Sequence, residues 1–185
     1  MTTPAHQLAA TRLFLTEGDV DDLIELAKAL PPGARVIDIG AGAGTTALAI
    51  MQTRKDVYVW TIDPSADALN WTQKALENYG IDLPTYWHRW DVTAEKAAEM
   101  FEEAEPVDLL LHDGDHSREQ VEADLRAWLP KLKPFHSRIW VHDAMPMPGA
   151  AETYPGVGEA LDVLAPEGLV GYLSAPKGIG WIGLA

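Results

Sequence analysis

The chain has 185 residues, enough for one domain with a sizeable core, and 47% of them are hydrophobic, which excludes a disordered tail. A formal net charge of -14 opposes nucleic-acid phosphates unless basic residues cluster, and the best cluster, Lys131 to Arg138, reads as a solvated turn. There is no cysteine, so disulfides and thiolate metal sites are excluded, and no apolar run approaches the roughly 20 residues that span a bilayer.

The start, MTTPAHQLAATRLF, lacks the charged and then apolar order of a secretion signal, so the expectation is a soluble, cytoplasmic protein with no membrane partner. One domain is expected over 1–185, with a helical N-terminal segment at 1–33 and the core at 34–185. Asp19 to Leu30 has helical spacing and ends at Pro31-Pro32-Gly33. Arg35 to Gly40 is a short buried strand, and TTALAIMQT after it reads as helix. Val57 to Asp63 is a second strand; Ser65 then caps a helix that stops at Gly80.

Thr85 to Trp90 is read as a third strand, followed by a helix across AEKAAEMFEEA. VDLLLH is the fourth strand, and SREQVEADLRAWL the helix after it, where Ser117 and Gln120 have capping-box spacing. RIWVH is the fifth strand and VGEALDVL a helix. LVGYLSAP and GIGWIGLA close the chain as two strands with turn residues between them. Strands alternating with helices imply a parallel sheet covered on both faces, and the last two strands imply an antiparallel hairpin at one edge. Ligands of such sheets bind beyond the carboxyl ends of the strands.

Every polar cluster of note lies at such an end. VIDIGAGAG, Val36 to Gly44, puts Asp38 and three alternating glycines after strand one. Gly40 and Gly42 can take positive φ, and the helix start that follows attracts a carboxylate or phosphate. The G-x-G-x-G spacing is not that of dinucleotide binders, and no Gly-Lys-Ser/Thr follows. Asp63, 19 residues past Gly44, suits ribose hydroxyls, and Asp91, beside Trp90, suits an adenine amino group.

VIDIGAGAG with Asp63 and Asp91 resembles the S-adenosylmethionine site of class I methyltransferases, over Ala34 to the C-terminus. The resemblance implies a Rossmann-like, doubly wound α/β sheet of seven strands, mostly parallel with an antiparallel C-terminal hairpin. In it strand four lies beside strand one and strand five beside strand four. It also implies that Gly40, Ala41 and Gly42 face the cofactor, with Asp38 near its amino group, Asp63 on its ribose and Asp91 on its adenine.

LLLHDGDHS, Leu109 to Ser117, leaves strand four with two carboxylates and an imidazole, and His142-Asp143 leave strand five. Neighbouring strands lie about 4.8 Å apart, so Asp113, Asp143 and His142 can converge on one divalent ion. Mostly oxygen ligands favour Mg²⁺, Ca²⁺ or Mn²⁺, and a histidine adds weight to Mn²⁺, Fe²⁺ or Zn²⁺. His116 hangs over the same space with an unperturbed pKa, near 6.5, that suits a general base. Bland readings stand beside these: Asp115 as a turn or cap residue, His142 as a loop hydrogen-bonder, His116 as a cap or substrate contact. Trp60, Trp87, Trp128 and Trp140 read as core.

DGDHS with HDAMPMPG is similar to the metal-dependent small-molecule O-methyltransferases, such as the catechol and macrolide-sugar enzymes and the cephalosporin-hydroxylase-like relatives. That resemblance implies Asp113, His142 and Asp143 as metal ligands, with Mg²⁺ the leading ion. It implies His116 as the base and a small hydroxylated molecule as acceptor. The loop Met145 to Gly156 is the expected substrate gate. Rival readings are a metal-independent methyltransferase in which His116 or Asp113 acts alone, and a non-catalytic S-adenosylmethionine-binding domain. A homodimer is compatible with all of these.

Overall fold

The computed structural model describes residues 2–12, 15–101, 106–133, 136–144, 154–164, 173–174 and 180–182. These fall into two units, 1–93 and 94–185, each an α/β assembly. The first holds α1 (Pro4–Arg12), α2 (Glu17–Lys28), β1 (Arg35–Ile39), α3 (Thr45–Thr53), β2 (Tyr58–Ile62), α4 (Ala66–Asn78), the single turn α5 (Leu83–Tyr86) and β3 (Trp87–Trp90). The second holds α6 (Ala94–Met100), β4 (Leu109–His112), α7 (Arg118–Trp128), β5 (Arg138–Val141), α8 (Pro155–Leu164), β6 (Leu173–Ser174) and β7 (Gly180–Ile182).

In the first unit β2 pairs in parallel with both β1 and β3. The register sets Ile39 opposite Ile62 and Ile62 opposite Trp90, so the three strands end level. Gly40 N–H then reaches the Ile62 carbonyl and Asp63 N–H the Trp90 carbonyl. Three turns thus leave the sheet side by side. In the second unit β4 and β5 are parallel with His112 opposite Val141, and His142 N–H donates to the His112 carbonyl. Short β7 runs antiparallel to β5 and to β6. Residues 175–179, which would turn the expected hairpin, lie outside the described residues.

The strands are the buried layer. Val36, Ile37, Leu109, Leu110, Leu111, Trp128 and Trp140 are fully enclosed, and Trp60 and Trp87 nearly so, which fits core roles for all four expected tryptophans. Helix α7 adds one apolar stripe, with Val121, Leu125 and Trp128 buried, whereas α3 is buried at every position from Thr45 to Met51.

Local chemistry accounts for most boundaries. Thr16 and Asp19 form a reciprocal capping box, which starts α2 two residues before the expected Asp19. Ser65 caps α4 by accepting from Ala68 N–H, and Gly80, at φ 72°, ends it. Two expectations fail here. Residues 85–86 belong to a helical turn, not to β3, because Pro84 favours the first turn of a helix. The Ser117–Gln120 capping box does not form: Asp115 takes the Ser117 N–H at 2.7 Å, and Gln120 turns to Asp124. No helix among the described residues is long and apolar enough to cross a membrane.

Candidate functional site

The glycine turn is held open by its backbone. Gly40, Gly42 and Gly44 have φ of 91°, 49° and 85°, a conformation that side chains with a Cβ rarely adopt. They do different jobs. A Cβ on Gly44 would meet Thr72 Cα at 2.7 Å, so this glycine lets α3 approach α4. A Cβ on Gly42 would meet nothing within 4 Å, so its open face is available to a ligand.

Asp63 ties this turn to the next one. One carboxylate oxygen accepts from Ala41 N–H at 3.0 Å and the other from Ser65 N–H at 2.7 Å. Asp38 is buried, and its Oδ2 accepts from the Thr61 hydroxyl at 3.1 Å, which itself accepts from Trp87 Nε1 at 2.9 Å. Asp91 is exposed and gripped at both oxygens by Arg89, at 2.8 and 2.9 Å. The guanidinium holds that carboxyl below its usual pKa, and it is anchored in turn by Asn70. The sequence did not announce this arginine partner: Arg89 lies on β3 and Asp91 just past its end.

At the ends of β4 and β5, Asp113, His116, His142 and Asp143 come together, each offering an atom within 4.8 Å of the others'. His142 Nδ1 is 3.1 Å from Asp113 Oδ1 and 3.1 Å from Asp143 Oδ2. His116 Nε2 is 3.4 and 3.5 Å from the same two oxygens. Burial alone would raise the Asp113 pKa, but His116 and His142 outweigh it and hold the carboxyl below its ordinary value. Asp143 has φ 55°, the one non-glycine residue with positive φ among the described residues, and its carboxylate reaches both imidazoles.

The donor set fits a divalent ion. Bonds of about 2.1 Å at right angles put neighbouring donor atoms about 3 Å apart, close to the observed spacings. Two carboxylates with two imidazoles is a first-row transition-metal set as much as a Mg²⁺ set. His116, expected to overhang the ligands, points its Nε2 at the same two oxygens as His142.

Two supporting features went unread in the sequence. His112, next to Asp113, is buried and meets buried Asp124 at 3.0 Å, and Gln120 fills the other Asp124 oxygen at 2.8 Å. The signal was available, because Asp124 interrupts the apolar stripe of α7. Tyr154 stacks on His116 with ring centroids 4.3 Å apart, beside an open pocket of about 580 Å³ that both line. Met145 to Thr153, most of the expected gate, lie outside the described residues.

A methyltransferase-domain family matches residues 37–144, more than half of the chain. The chain belongs to that family and to the class I S-adenosylmethionine-dependent methyltransferases. A stretch of 56 residues is 34% identical to ribosomal RNA small subunit methyltransferase G of Pseudarthrobacter chlorophenolicus, covering 30% of this chain and 26% of that protein. The match thus spans about a quarter of that relative's length. The S-adenosylhomocysteine-bound methyltransferase PaMTH1 of Podospora anserina superposes with TM-score 0.75 at 18% identity, over 98% of this chain and 86% of its own. A candidate O-methyltransferase of Klebsiella pneumoniae gives 0.69 at 17%, over 90% and 78%. Both structural likenesses speak for the fold.

Proposed function

We propose that this protein transfers a methyl group from S-adenosylmethionine to a hydroxyl of a small molecule, with a divalent metal at Asp113, His142 and Asp143. In this reading the two units work as one methyltransferase domain, with a seven-stranded sheet closed by a C-terminal hairpin. The observation that carries it is the convergence of two carboxylates and two imidazoles at the ends of β4 and β5 in a chain of this family.

S-adenosylmethionine supplies the methyl as an electrophile. The open face of Gly42, the turn of Gly40 and Ala41, and the carboxylates of Asp38, Asp63 and Asp91 are the groups that bind it. When bound, the metal stabilises the negative charge of an acceptor oxygen and so eases loss of its proton. Asp113, His142 and Asp143 orient the acceptor, and His116 takes the hydroxyl proton at Nε2. The second imidazole in the cluster favours Mn²⁺, Fe²⁺ or Zn²⁺ more than a single one would, with Mg²⁺ retained as the abundant alternative.

One observation favours a second role for His116. Its Nε2 faces both carboxylates, so it suits a fourth ligand as well as a base. His116→Ala separates the two: a ligand's loss weakens Mn²⁺ binding, whereas a base's loss lowers turnover and spares Mn²⁺ affinity.

The acceptor class rests on the acidic chain and on the likeness to the candidate O-methyltransferase, against a short match to a ribosomal RNA enzyme. The test is methyl transfer to a panel of hydroxylated small molecules and to ribosomal RNA, with chelator and with Mg²⁺ or Mn²⁺ restored. Chelator-sensitive transfer to a small hydroxyl supports the proposal; transfer to RNA alone, or turnover indifferent to chelator, refutes it.

A further inference from the structure

The first turn of α8 is built in a way that its own helix does not require. Residues 155–158 read Pro-Gly-Val-Gly, and glycine is among the poorest helix formers after proline. Both glycines are explained by what lies against them. A Cβ on Gly156 would sit 2.6 Å from Arg118 N, 2.6 Å from the His116 carbonyl oxygen and 3.1 Å from Ser117 C. All three are backbone atoms, which cannot swing aside as a side-chain tip can. A Cβ on Gly158 would sit 3.1 Å from the Ala144 carbonyl oxygen, one residue beyond Asp143. The same turn therefore bears on the segment that carries His116 and on the segment that follows Asp143.

Ahead of these glycines, Tyr154 lies on the His116 imidazole at 4.3 Å with the rings tilted 26°. The helix behind them is anchored by Val157, Ala160, Leu161 and Leu164, all buried. A helix pinned on that side gives its first turn a fixed position from which to hold the cluster.

We propose that Tyr154, Gly156 and Gly158 are positioning residues for the metal and proton-transfer cluster. Tyr154 fixes the plane of the His116 ring, and the two glycines admit the helix close enough for it to do so. The functional half of this inference rests on the role given to His116 above; the positioning half does not.

The test uses the full chain labelled at histidine carbons, with the His116 ring signals assigned by His116→Gln. The Tyr154 ring current shifts the His116 ring protons upfield in the native protein and in Tyr154→Phe. In Tyr154→Ala and Gly156→Ala they return toward free histidine, while the buried His112 signals stay in place and report an intact fold. In parallel, Tyr154→Ala lowers kcat about 10- to 100-fold, the scale of a displaced catalytic group, with KM for S-adenosylmethionine unchanged; Tyr154→Phe restores kcat. If Gly156→Ala does not fold, the two Tyr154 variants decide. Unmoved His116 signals in Tyr154→Ala overturn the inference, and so does a moved signal with unchanged kcat. Native protein that transfers no methyl to any acceptor refutes the proposed function instead, and the resonances alone then decide positioning.

Discussion

The glycine turn after β1 and the acid–imidazole cluster after β4 and β5 are both strand-end sites, yet they are made of different material. The first is a backbone site, shaped by three left-handed glycines and tied by one carboxylate, Asp63. The second is a side-chain site, in which four titratable groups from two strand ends share a space 4.8 Å across. A backbone site is lost when its conformation is lost. A side-chain site can lose its chemistry through one atom while its shape survives.

The sharpest way to break this comparison is Asp143→Asn. Asparagine tolerates the left-handed backbone at φ 55°, so shape is kept and one negative charge removed. Mn²⁺ affinity is expected to fall at least about 100-fold and methyl transfer to vanish with it, whereas S-adenosylhomocysteine binding is unchanged by calorimetry. A matching loss of nucleoside affinity would show that the two sites are not separable.

Next in size is the buried pair. His112→Ala leaves Asp124 enclosed without its imidazole, a change worth about 3 to 5 kcal/mol if the carboxylate stays charged. Denaturant unfolding of His112→Ala measures it. The mirror experiment, Asp63→Ala, removes two hydrogen bonds from backbone N–H groups to a carboxylate, each worth about 1.5 to 3 kcal/mol at most. Stability and S-adenosylhomocysteine affinity are expected to fall together there, with Mn²⁺ affinity untouched.

Smaller still is the effect of pH on metal binding. Ligand atoms must give up their protons before they can hold a metal, so Mn²⁺ affinity is expected to decline as pH is lowered. Asp113, held below its ordinary pKa by His116 and His142, keeps its charge to lower pH than a free carboxyl and so resists that competition. His142→Ala is expected to make the Mn²⁺ profile against pH shallower. The smallest effect is that of Asp91→Asn, whose exposed pairing with Arg89 contributes little: the melting temperature stays put, and any change is confined to cofactor binding.

How much of this was legible in the sequence differs between the two sites for the same reason that their chemistry differs. Glycine spacing writes a backbone conformation directly, so Gly40, Gly42 and the level strand ends were readable from VIDIGAGAG and the aspartates that follow β2 and β3. Side-chain convergence depends on strand register, and the pairing of Asp113, His142 and Asp143 came from assuming that two strands are neighbours. The register that sets His112 opposite Val141 then brings those tips together. What stayed hidden were partners set by packing. Arg89 closing on Asp91, His112 on Asp124 and Tyr154 on His116 each join residues whose rotamers only the folded chain selects. The end of α5 was misread because a single helical turn carries no periodicity, and the capping box at Ser117 lost to Asp115, only two residues from its N–H where Gln120 is three.

Asp63, given to the cofactor in the proposed function, has a consequence for anyone who wishes to re-engineer nucleoside specificity. Its carboxylate laces one loop to another, so exchanging it for a residue with a different ligand preference also unlaces the pair. A redesign has to begin by giving the Ala41 and Ser65 amides a new acceptor, and only then alter what the pocket recognises.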